Sequence, residues 1–170
     1  MSTPMADKSN FTPDEWRVLL ESMTMAGIAV TAAEPSGLWG LLQESLAAGG
    51  MVAQAKMDPT SNPLIKALVA EFGTAEGRKA ARDDLKAKLA GNKPAEVKSK
   101  CIETLRQAAA VVDAKAPEDA AAFKGWLRQI SQHVAEAATE GGFFGIGGSR
   151  VSDAEKATLT EISSALKLAA

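Results

Sequence analysis

The stretch "FTPDEWRVLLESMTMAGIAVTAAEP", residues 11–35, decides the fold class. Its first six residues are a complete helix start. Thr12 stands at the N-cap with Pro13 at the first helical position, where a missing N–H costs nothing. Glu15, three residues on, completes a capping box, and Phe11 and Trp16 occupy the two positions of a hydrophobic staple. Trp16, Leu19, Leu20, Met23 and Val30 then follow a helical period. The helix is expected to stop near Glu34, ahead of Pro35. The run "MTMAGIAVTAA", residues 23–33, is the longest apolar stretch. It is too short to span a bilayer and reads as a buried helix.

Working outward, every long segment repeats this helical spacing, and none alternates as a strand does. Ser36 can cap a second helix with Leu38, Leu41, Leu42, Leu46 and Val52, interrupted at Gly49-Gly50. After the breaker "MDPTSNP", Asn62 caps a third, with Pro63 at its first turn and Leu64, Ile65, Leu68, Val69 and Phe72 as its stripe. Gly73 fits a left-handed C-terminal stop. A polar helix follows over about residues 75–90, with Ala81, Leu85 and Leu89 on its inner face. Two long helices come next. One runs from about Pro94 to Lys115, carrying Val97, Cys101, Leu105, Ala108 and Val112. The other runs from Pro117 to about Thr139, carrying Phe123, Leu127, Ile130, Val134 and Ala137. Ser152 and Glu155 form a second capping box ahead of a last helix with Leu159, Ile162 and Leu166.

The expected architecture is all-α: a compact bundle of about seven helices. Residues 1–10 are expected to form a disordered tail and residues 11–170 a single helical domain. The segments "EWRVLL…VTAAEPSGLWG" and "GWLRQI…AEAATEGGFFG" echo each other, as a diverged internal duplication would leave them.

Composition narrows the function classes. The chain of 170 residues is 46% hydrophobic, with a net charge of −2. That balance does not suit a dedicated nucleic-acid binder. Cys101 is the only cysteine, so no internal disulfide can form, which fits a reducing compartment. With a polar N-terminus lacking a signal-like apolar run, a cytoplasmic location without a membrane span is expected. Residues 76–100 hold eight basic and four acidic residues. They lack an aromatic for base stacking and read as a solvated helical hairpin, or as a stripe through Leu85 and Leu89 that continues across a subunit interface.

Candidate chemistry is sparse. "EGGFFGIGGSRVSDAE", residues 140–155, holds five glycines between Gly141 and Gly148. It is not a P-loop, because Gly148 stands where the phosphate-binding lysine must be. Nor is it a dinucleotide fingerprint, since Arg150 takes the third glycine position. It reads as a joint between helices, with Phe143, Phe144 and Ile146 plugged into the core. Ser149 and Arg150, at the start of the last helix, are the candidate anion ligands. Cys101 lies in an apolar stripe and reads as an inert thiol. His133, the only histidine, flanks a stripe and reads as structural. No catalytic residue and no cofactor site is assigned.

The segment "GGSRVSDAEKATLTEISSAL", residues 147–166 in a match that covers about residues 147–168, resembles the acidic-turn-plus-helix unit of the TerB-like, tellurite-resistance family. Gly147 stands where that family has an acidic residue. The resemblance implies an all-helical bacterial protein linked to metal or stress responses. On that basis Glu140, Asp153 and Glu155 are the candidate ligands for a divalent cation, which prefers oxygen donors. Together these expectations describe a non-catalytic binding or accessory protein, engaging a protein partner or itself. The alternative is a metal-dependent or small-molecule enzyme using carboxylates at helix ends.

Overall fold

A computed structural model describes residues 8–33, 62–89, 93–140 and 153–168. Among these residues there are six α-helices and no strand. They are α1 (Pro13–Ala33), α2 (Pro63–Phe72), α3 (Ala75–Leu89), α4 (Pro94–Lys115), α5 (Pro117–Glu140) and α6 (Asp153–Ala165). The all-α class is as the periodicity predicts. The helix expected after Ser36 lies outside the described residues, as does the glycine-rich joint.

The start of α1 forms as its sequence dictates. The Thr12 amide donates to Glu15 Oε2 at 2.8 Å, and the Glu15 amide donates to Thr12 Oγ1 at 3.1 Å. Phe11 and Trp16 close the staple with ring centroids 5.7 Å apart. Ahead of it, Lys8–Asn10 form a single 3-10 turn, and Lys8 Nζ pairs with Glu71 Oε1 at 2.8 Å. The Lys8 cation thereby ties this turn to a carboxylate on α2.

α1 is the axis of the bundle. Every residue from Glu21 to Val30 is buried, the signature of a helix wrapped on all sides. It packs most extensively on α4, and also on α5 and α6. The buried alanines Ala26 and Ala29 on α1 and Ala108 and Ala109 on α4 let such helices approach closely. α4 runs antiparallel to α1: Lys115 lies 3.9 Å from Glu15 at one end, and Cys101 Sγ lies 3.3 Å from Met25 Sδ further along. α5 turns back along α4, where Lys124 Nζ meets Asp113 Oδ1 at 2.9 Å, and so runs in the sense of α1. Ser131 on α5 donates to the Ala26 carbonyl at 2.7 Å. α6 closes the bundle through Leu159, Ile162 and Leu166, and Arg128 Nε on α5 donates to Ser163 Oγ on α6 at 2.8 Å.

Asn62 caps α2, accepting from the Ile65 amide at 3.1 Å, and its Nδ2 donates to Asp119 Oδ1 at 2.9 Å, tying the start of α2 to the start of α5. The stop at Gly73 differs from expectation. Its φ of −69° and ψ of −14° are right-handed, not left-handed. The reason is the next residue. Thr74 Oγ1 donates to the Glu71 carbonyl at 2.7 Å and accepts from the Gly77 amide at 2.9 Å, so one side chain ends α2 and starts α3. A Cβ on Gly77 would overlap the Glu71 carbonyl oxygen. The glycine that the turn requires is thus Gly77.

Glu71 links three elements. Its carboxylate accepts from Lys8 and from Trp16 Nε1. Burial raises its pKa, but the hydrogen bonds from Lys8 and Trp16 and the charge of Lys8 together outweigh this and hold it below its ordinary value of 4.5. A carboxylate depressed by folding adds stability above the unfolded-state pKa, and that stability is lost as pH falls through the folded one. The unfolding midpoint should therefore drop more steeply below pH 4.5 in the parent than in Glu71→Gln. Parallel acid limbs in the two proteins would reject the linkage.

A polar cluster between α1, α3 and α4 as the candidate functional site

Along α1, the buried axis of the bundle, sits a row of polar side chains. Arg17, Glu21 and Thr24 are spaced i, i+4 and i+7, so they share one face of α1. α3 lies along that face. Arg17 Nε meets Asp84 Oδ2 at 3.2 Å, and Lys88 Nζ meets Glu21 Oε2 at 2.5 Å. Both partners advance by four residues, so α3 runs parallel to α1. α4 completes the junction: Lys100 Nζ donates to the Lys88 carbonyl at 2.8 Å, and Cys101 reaches Met25.

Burial along the row is uneven. Arg17 is well exposed, whereas the Glu21 side chain is only 5% exposed. An isolated buried carboxylate is costly, and Lys88 offsets that cost from the solvent side, its own side chain being 42% exposed. Thr24 is buried, and its hydroxyl is the one buried side-chain polar atom among the described residues that lacks a hydrogen-bond partner. Such a group costs about 1–3 kcal/mol in desolvation. In the unliganded protein, Thr24→Val keeps the shape and removes that cost. Its unfolding free energy should rise by about 1 kcal/mol, read by urea denaturation; a fall of similar size would show that the hydroxyl has a partner in solution.

Cys101 is fully buried. Burial raises its thiol pKa to about 12, against the opposing charge of Lys88. At neutral pH it is a thiol held against a methionine sulfur, not a nucleophile, as the apolar stripe led us to expect.

Of the residues singled out from sequence, Cys101 lies at this junction, whereas Asp153 and Glu155 belong to α6. Asp153 is exposed at the start of α6, while Glu155, two residues on, is buried. Positions two apart on a helix do not face each other, so these carboxylates do not converge as neighbours. Glu140 is the last residue of α5. Its side chain, that of His133, and all of Ser149 and Arg150 lie outside the described residues, as do the side chains of Leu85 and Leu89. Among the described residues, no group of three His, Cys, Asp or Glu side chains could hold a metal ion, and no helix is long and apolar enough to cross a membrane. Part of the basic hairpin is not simply solvated, since Lys88 turns inward onto α1. The Glu21–Lys88 pair and Thr24 were missed from sequence. Their signal was the polar i, i+4, i+7 spacing inside an apolar helix, matched by Asp84 and Lys88 four apart on α3.

Comparison with known proteins adds no relative: no family model, no curated protein and no solved structure matches the chain.

Proposed function

We propose that the protein is a non-catalytic binding or accessory protein that engages a protein partner or a second copy of itself. One observation carries this. The groups at the α1–α3–α4 junction that could do chemistry are committed to internal partners: Lys88 to Glu21, and a high-pKa Cys101 thiol to Met25. A nucleophile or general acid–base needs a pKa near the working pH and access to substrate, and neither describes this thiol. The outer face of α3, by contrast, displays the exposed charges Glu76, Arg78, Lys79 and Asp83, which suit recognition of a partner surface. The resemblance of residues 147–168 to the TerB-like unit supports a bacterial, stress-related setting.

Native mass spectrometry of protein purified without denaturation tests this proposal. The expected spectrum shows masses at multiples of 17.7 kDa, or one chain carrying a protein partner. A monomer bearing a stoichiometric divalent cation or small molecule, released when it is incubated with that ligand's reactive analogues, would favour the enzyme alternative.

A further inference from the structure

We propose that Arg128 on α5, with Ser163 across from it on α6 and Gly125 one turn before it, forms a binding site for a carboxylate. The inference goes beyond the binding function above and does not rest on it. The basic side chains that are buried or half-buried among the described residues are Lys88, Lys98, Lys124 and Arg128. Each lysine meets a carboxylate: Lys88 on Glu21, Lys98 on Glu161 at 2.9 Å, and Lys124 on Asp113. Arg128 meets only neutral acceptors. Its Nε donates to Ser163 Oγ, and its Nη1 donates to Gln132 Oε1 at 3.0 Å. Partial burial lowers its pKa, and among the described residues no counter-charge opposes that shift.

A guanidinium has more N–H donors than these two bonds use, and Nη2 takes part in neither. The half-buried Ser163 hydroxyl accepts from Arg128, so its own O–H remains to donate. Both groups can therefore donate to one acceptor, and a single guanidinium matches the single charge of a carboxylate. The C-terminal carbonyls of α6 would oppose an anion. Those of Ser163 and Ser164, however, are taken by the Leu168 and Lys167 amides at 2.9 and 3.1 Å. Gly125 supplies room. It lies three residues before Arg128 and so on the same face of α5. Alanine is preferred to glycine inside a helix, and packing does not demand glycine here: among the described residues a Cβ would meet nothing within 4 Å. The bare backbone keeps a notch open beside the guanidinium.

The test is proton–nitrogen NMR of the full chain, titrated with sodium acetate at an ionic strength held constant with sodium chloride. The expected result is saturable shifts, in the millimolar range, at the Arg128 Nε–H and the Gly125 and Ser163 amides. Arg128→Gln should weaken binding at least about tenfold. Gly125→Ala separates a binding role from a structural one, and it keeps the test valid if Arg128→Gln does not fold. Its unfolding midpoint should rise, because alanine favours the helix and meets no clash, yet acetate affinity should fall several-fold as the notch fills. Native mass spectra of the parent and Arg128→Gln then identify what carries the carboxylate. Loss of a dimer places it on a second copy, loss of a partner's mass places it on that protein, and an unchanged assembly places it on a small molecule. The proposal is overturned if the shifts fail to saturate, if chloride alone reproduces them, or if either variant binds acetate as the parent does.

Discussion

Phe123→Ala should destabilise the protein by about 3–5 kcal/mol, the range for removing a fully buried phenylalanine. Among the described residues Phe123 is the largest of the fully buried side chains, and its ring lies 6.4 Å from that of Trp126. It projects from α5, which flanks the central helix, so the cavity opens in the middle of the bundle. For a domain of this size the thermal midpoint should fall by roughly 10 °C, and a loss of this magnitude is a large share of the 5–15 kcal/mol that holds a typical domain together. The check is paired thermal and urea unfolding. A shift under about 1 kcal/mol would mean that the core is loosely packed around α5.

Gly77→Ala is the second large effect, and here two influences of opposite sign compete. Within a helix, alanine is favoured over glycine by about 1 kcal/mol, so the substitution should stabilise α3 if nothing else intervened. The new Cβ, however, would overlap the Glu71 carbonyl oxygen and lie 2.9 Å from Thr74 Oγ1. The oxygen belongs to the backbone of α2 and is itself bonded by Thr74, so it cannot swing aside as a side-chain end would. Relief requires the α2–α3 turn to open, losing both Thr74 bonds. Overpacking of this kind typically costs about 1–3 kcal/mol, which outweighs the propensity gain. A net loss of stability is expected, together with a weaker α3 in hydrogen exchange. A net gain would show that the turn is looser than its bonds suggest.

Helix positions and the core were legible because local chemistry fixes them. The Thr12–Glu15 box, Asn62 with Pro63, and Pro94 and Pro117 all mark starts that the structure places at those residues. The apolar stripes through Leu64–Phe72 and Val97–Val112 point inward as their spacing demands. Gly73 misled because a glycine after a stripe usually marks a left-handed cap. The competing hydroxyl of Thr74 wins here and keeps the turn right-handed. The echo between α1 and α5 is equally local: Trp16 follows Pro13 by three residues, whereas Trp126 follows Pro117 by nine, so the two tryptophans do not occupy equivalent turns.

The candidate site was less legible for a tertiary reason. Arg17, Glu21 and Thr24 have the spacing of a solvent-facing stripe on an amphipathic helix. Periodicity says which face of α1 is apolar. It does not say that a second, polar helix will cover the remaining face and bury Glu21 by supplying Lys88. Only the matched spacing of charges on α1 and α3 carries that information. It becomes decisive once the Thr74–Gly77 turn has set the direction of α3.

Native-state hydrogen exchange resolved by residue tests most directly whether α1 is the wrapped axis of the bundle. The amides of residues 22–30 should exchange only through global unfolding, with protection equal to the full unfolding free energy. Those of α3, whose described side chains are exposed or half-buried, should exchange through a smaller opening, faster by at least about tenfold. Equal protection in α1 and α3 would contradict the account.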